Sequence, residues 1–176
     1  MKSVLISIQP KWVEKIASGE KTIEVRKSRP KLETPFKCYI YCTIGNGIKR
    51  DYLVPSGIQC GKVIGEFICD KTIKYECSSD GFGELATTCG TCLTYDEILN
   101  YCSGNDLYGW RISDLKIYDK PKELSEFTTP TDCKSGIAKD MLCNTCCLCS
   151  DFCTKKPKRI TSPPQSWCYV EELRNE

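Results

Sequence analysis

The feature that most constrains this chain is a stretch that cannot order itself through hydrophobic burial. Residues 128–164 are poor in aliphatic side chains and rich in Cys, Lys, Thr and Pro. Such a composition buries too little apolar area to offset conformational entropy without a staple. Six cysteines crowd into 133–153: Cys133, Cys143, Cys146, Cys147, Cys149 and Cys153. Cys143-Asn144-Thr145-Cys146 has the C-x2-C spacing of a zinc knuckle, and Cys149-x3-Cys153 supplies a second pair. Four thiolates at ~2.3 Å around one ion make a closed structural site, and its binding energy is folding energy. The spacing therefore predicts a structural Zn2+ on Cys143, Cys146, Cys149 and Cys153, with Cys133 and Cys147 in reserve. The alternative is a metal-free, cysteine-rich loop.

Across 176 residues there are 15 cysteines and no histidine. The commonest general base is thus missing, which excludes Ser-His-Asp and Cys-His catalysis within the chain. Cysteine usage on this scale means either disulfides or metal, and the compartment decides. The apolar run within Met1–Pro10 is too short for a signal-peptide core, and no small-residue cleavage site follows it. No segment approaches the ~20 apolar residues needed to cross a membrane. The expected setting is the cytoplasm, where thiols stay reduced, and the odd cysteine count also opposes complete pairing. Cys89-Gly90-Thr91-Cys92 is a second C-x2-C, but no partner pair lies beside it in sequence. Cys38, Cys42, Cys60, Cys69, Cys102 and Cys168 lie mostly in apolar strands and read as small core residues.

The length suits one domain, 1–176, with 128–164 as an insert. Residues 3–8 read as a strand. Pro10 opens a short amphipathic helix over 10–18, with Trp12, Val13, Ile16 and Ala17 at helical spacing and Gly19 as its stop. Residues 21–26 alternate strictly, placing Thr22, Glu24 and Arg26 on one face and Lys21, Ile23 and Val25 on the other. Strands follow at 36–43, 62–69, 108–118 and 166–173. A helix over 94–102 is announced by Thr94 and Glu97 as a capping box, with Ile98 and Leu99 turned inward. The fold class is α+β: a small mixed β-barrel with two or three short helices and a metal-stapled insert.

The segment from Pro10 to Arg26 resembles the signature of ASCH domains, Gly-x-Lys-x-x-Glu-x-Arg after the first helix, met by Gly19, Lys21, Glu24 and Arg26. The run Gly109-Trp110-Arg111-Ile112-Ser113-Asp114-Leu115 and the closing Pro163-Pro164-Gln165-Ser166-Trp167-Cys168-Tyr169-Val170-Glu171-Glu172 resemble phage and prophage members of that family, although those relatives carry His where Arg111 stands. The resemblance implies a PUA-like barrel, in a bacterial host, with a cleft for RNA or a modified nucleobase. One branch hydrolyses N4-acetylcytidine with a lysine, a threonine and a glutamate. Lys21 matches that lysine, whereas Glu24 occupies the threonine position.

Three functions follow. The first is a reader of RNA or a modified nucleotide. Lys11 and Arg26 would meet phosphate, Lys21 and Glu24 would line the cleft, and Trp12 or Trp110 would stack on a base. Trp110 is the better stacking candidate, with Ser113 and Ser166 as further polar groups. The second is a hydrolase of a modified nucleoside or of RNA, with Lys21 and Glu24 catalytic. The third is a phage-encoded protein-interaction module. If Glu24 and Arg26 merely pair on the surface, the pair is worth about 0–1 kcal/mol. Lys21, Arg26, Lys27, Arg29 and Lys31 form one basic run and Lys155, Lys156, Lys158 and Arg159 another, as a phosphate path would require, within a net charge of only +2.

Overall fold

The structure, a computed structural model, describes residues 2–45, 57–77, 90–130 and 157–173. The zinc candidates Cys143, Cys146, Cys149 and Cys153, their reserves Cys133 and Cys147, and Cys89 lie outside the described residues.

The chain runs β1 (Lys2–Ile8), α1 (Pro10–Ala17), β2 (Ile23–Arg26), β3 (Phe36–Cys42), β4 (Val63–Tyr75), α2 (Tyr95–Cys102), β5 (Leu107–Lys122), a 3-10 turn (Leu124–Glu126) and β6 (Trp167–Glu171). The strands form one six-stranded sheet in the order β2-β5-β4-β3-β1-β6. Only β1 and β3 run parallel; every other pair is antiparallel. Periodicity anticipated the six strands and two helices, but β2 starts two residues later than its alternation suggested, β4 continues to Tyr75 and the turn at Leu124–Glu126 was not foreseen. α1 opens with Pro10 in its first turn and ends before Gly19, whose φ of +79° suits glycine. The Thr94–Glu97 capping box starts α2.

Two expectations need correction. The sheet is not closed into a barrel: β2 and β6 are its edges. β2 has only four residues, and the Thr22 and Ile23 amides donate to Gly90 O at 2.8 and 3.0 Å rather than to a closing strand. Leu99 does not face inward. Ile98 and Cys102 form the buried row of α2, one turn apart, so Leu99 turns out to 41% exposure alongside Tyr95.

Long stretches of apolar residues fill both faces of the sheet. One cluster packs α1, through Val13 and Ile16, against Val4, Ile6, Ile8, Ile40, Phe67 and Trp110. A second gathers Ile23 and Val25 with Ile98 and Leu107, seating α2 beside β2. Cys38, Cys42, Cys60, Cys69 and Cys102 are buried free thiols, as small core residues should be, and Cys168 is partly buried. Gly65 and Gly109 mark close approaches. A Cβ at Gly65 would fall 2.5 Å from Lys116 O, and one at Gly109 would fall 2.8 Å from the Tyr75 ring.

Candidate nucleotide-binding cavity

A cavity of about 870 Å³ opens where α1, β2, α2 and the segment 163–166 meet. Its floor is a chain of three charges. Glu24 Oε1 lies 2.9 Å from Arg26 Nη2, and Glu24 Oε2 lies 3.5 Å from Lys21 Nζ. All three side chains are buried, so the alternative of an exposed Glu24–Arg26 surface pair does not hold. The alternation also misplaced Lys21. It precedes β2, is freed from strand geometry, and turns its ammonium onto Glu24 and onto Thr91 O at 2.5 Å. Burial is the main cause that holds the Lys21 pKa below its ordinary value, and Glu24 opposes it.

Arg26 fastens β2 to the far side of the sheet. Its Nη2 donates to Ser7 O at 2.5 Å, and its Nη1 reaches Ser166 Oγ at 3.4 Å. Ser7 Oγ donates to Pro164 O at 2.7 Å, holding the Pro163–Ser166 segment as the opposite wall. Arg26 Nε is buried and has no hydrogen-bond partner among the described residues.

The mouth is aromatic and basic. Lys11 Nζ lies 4.2 Å from the centre of the Trp12 ring and Lys21 Nζ 5.1 Å from it. Lys11 also pairs with Glu97 at 3.1 Å, tying α1 to α2. Lys27 Nζ sits 5.2 Å from the Tyr101 ring, whose own hydroxyl pKa burial pushes up.

The cavity thus brings together Lys11, Trp12, Lys21, Glu24, Arg26 and Ser166. Two sequence candidates lie elsewhere. Trp110 is fully buried, edge-on to Phe36 at 5.8 Å and to Trp167 at 6.0 Å, so its ring has no face to offer a base. Ser113 Oγ donates to Ile68 O across the β4–β5 ladder at 3.0 Å. Arg111 is engaged by Asp70 in a two-pronged pair, 2.7 Å at each contact. Sequence reasoning did not assign Lys27, Tyr101, Glu97 or Gln165 to the site. Lys27 stood within the basic run, and Glu97 was visible only as a helix cap. Among the described residues no group of three or more Cys, Asp or Glu could hold a metal ion. No described helix is long and apolar enough to cross a membrane.

Residues 6–63 match the family model of the ASCH domain. The crystal structure of ASCH from Zymomonas mobilis is similar in fold, with a TM-score of 0.57 at 18% identity, covering 97% of this chain and 88% of that one. A Tyr-to-Phe variant of the Zymomonas mobilis protein gives 0.58 at 17%, covering 98% and 92%. A Ser-to-Ala variant gives 0.58 at 17%, covering 97% and 89%. No curated protein matches this chain. The likeness establishes a mixed α+β, ASCH-like fold.

Proposed function

We propose that the protein binds RNA or a modified nucleobase in this cavity. The observation that carries the reading is the buried Lys21–Glu24–Arg26 charge chain, which lines an open cavity beside an aromatic mouth. Fully buried charges are retained at a cost, and a cluster that borders a cavity has a use there. Glu24 has lone pairs left to accept from a base edge, as carboxylates do from cytosine N4. Trp12, which lines the cavity where Trp110 does not, would be the stacking surface, and Lys11 and Arg26 would meet phosphate. The ASCH-domain match over 6–63 supports the same reading, since the resemblance implies RNA binding. The test is a titration of single-stranded RNA and of a nucleoside panel, followed by intrinsic tryptophan fluorescence. Binding should weaken with salt, and Trp12→Ala should cost about 1–3 kcal/mol. No binding across both panels would sink the reading.

A second reading, hydrolysis of a modified nucleoside amide, is favoured by the depressed pKa of Lys21 at the cavity floor. Lys21 would be the base and Glu24 its partner. Absence of acetate release from N4-acetylcytidine would remove it. We also propose, from spacing alone, a structural zinc on Cys143, Cys146, Cys149 and Cys153. The interaction-module reading has no observation among the described residues to favour it.

A further inference from the structure

We infer that the cavity takes its ligand as a phosphorylated nucleotide and not as the neutral nucleoside, with Arg26 and Lys27 on the phosphate. The inference rests on the nucleobase reading above and narrows it. Four cationic side chains border the cavity, Lys11, Lys21, Arg26 and Lys27, against two carboxylates, Glu24 and Glu97. The charge of each carboxylate is already matched by a cation. Glu24 is shared by Lys21 and Arg26, and Glu97 takes Lys11 together with the Thr94 amide. The floor therefore carries one buried positive charge in excess. At the mouth Lys27 lies over Tyr101 and meets no carboxylate among the described residues.

Arg26 supplies the second observation. It is more than nine-tenths buried, yet its Nε has no acceptor among the described residues. A guanidinium with a spare N–H beside an uncompensated cation is suited to an oxyanion, which accepts charge-assisted hydrogen bonds and neutralises the excess. The depressed pKa of Lys21 agrees, because burial is its first cause and the Arg26 charge also contributes. An anion seated here would favour the charged lysine. The neighbouring rings of Trp12 and Tyr101 select a planar group attached to that anion, as in a nucleotide. Free mononucleotides and RNA both present this chemistry.

The test uses the full chain and calorimetric titration with the four ribonucleosides, their 5′-monophosphates, inorganic phosphate and single-stranded oligonucleotides. A monophosphate should bind about tenfold or more tighter than its nucleoside. That gain should shrink at high salt and be lost in Lys27→Gln. Tighter binding of an oligonucleotide than of the mononucleotide supports the inference with RNA as the source; equal binding supports it with free nucleotide as the source. Equal affinity for nucleoside and monophosphate overturns this inference and leaves the nucleobase reading standing. No binding of any probe overturns both.

Discussion

Glu24→Gln and Lys21→Met should differ sharply in stability, although both remove one buried charge from the same cluster. Glu24 is the only anion of the three, 2.9 Å from Arg26 and 3.5 Å from Lys21. Neutralising it leaves two buried cations facing a neutral amide. Removing one partner from a buried pair costs roughly 3–5 kcal/mol, because the other charge is left uncompensated. Lys21→Met acts in the opposite sense on net charge, since the remaining Glu24–Arg26 pair is balanced. Its losses are the hydrogen bond to Thr91 O and the contact with Glu24. Its gain is the relief of a buried ammonium. The net cost should be about 0–2 kcal/mol. Urea unfolding under reducing conditions gives both values, provided the slope with denaturant stays constant. Because the residues touch, the double variant should cost less than the sum of the two singles. If Lys21→Met proves as destabilising as Glu24→Gln, the excess-positive-charge account is wrong.

The same lysine predicts a pH effect. A lysine whose folded pKa lies below its unfolded value of 10.5 binds fewer protons when folded. Its penalty is therefore present at low pH and is relieved as pH rises through the folded value towards 10.5. Stability measured against pH in this alkaline window should rise more steeply, or fall less, in the wild type than in Lys21→Met; parallel curves would refute it. Gly65→Ala should destabilise by about 1–3 kcal/mol, because its Cβ would meet backbone at Lys116 O and not a yielding side chain; a neutral result in chemical unfolding would contradict that packing. Glu97→Gln keeps the capping-box acceptor of α2 while freeing Lys11. Its stability should change by less than about 1 kcal/mol, and RNA binding should tighten; weaker binding would show that Lys11 works only when held. Protein purified under reducing conditions should carry roughly one zinc per chain, lost in Cys146→Ser; a metal-free preparation would end the zinc-staple proposal.

The order of strands and helices was legible because each carries a local signal. Pro10 and Gly19 bracket α1, Thr94 and Glu97 start α2, and the alternating runs mark the strands. The ASCH-like motif likewise pointed to Lys21, Glu24 and Arg26, which the fold does bring together. What failed was whatever depends on partners distant in sequence. Trp110 beside a glycine gives no local sign that Phe36 and Trp167 will enclose its ring. Lys21 was assigned a face by extending the period of β2 two residues too far. The contact of Arg26 with Ser166 spans 140 residues, which no window of periodicity reaches.

The unclosed sheet and the cavity are one fact seen twice. Closure would put backbone of β2 against the β1–β6 side and leave little room between them. Instead β2 stops after four residues, and the side chain of its last residue, Arg26, crosses to Ser7 and Ser166. Arg26, Ser7 and Ser166 all line the cavity, so this side-chain bridge crosses the gap in which it lies. Arg26 has two duties on this account: it ties β2 to Ser7 and Ser166, and its guanidinium lines the cavity with an Nε that has no acceptor among the described residues. Lysine at position 26 would retain the charge but lose the fork that can hold Ser7, Glu24 and a ligand at once. Arg26→Lys should accordingly weaken nucleotide binding more than it weakens the fold, and the ratio of the two losses measures how far the residue serves the cavity over the sheet.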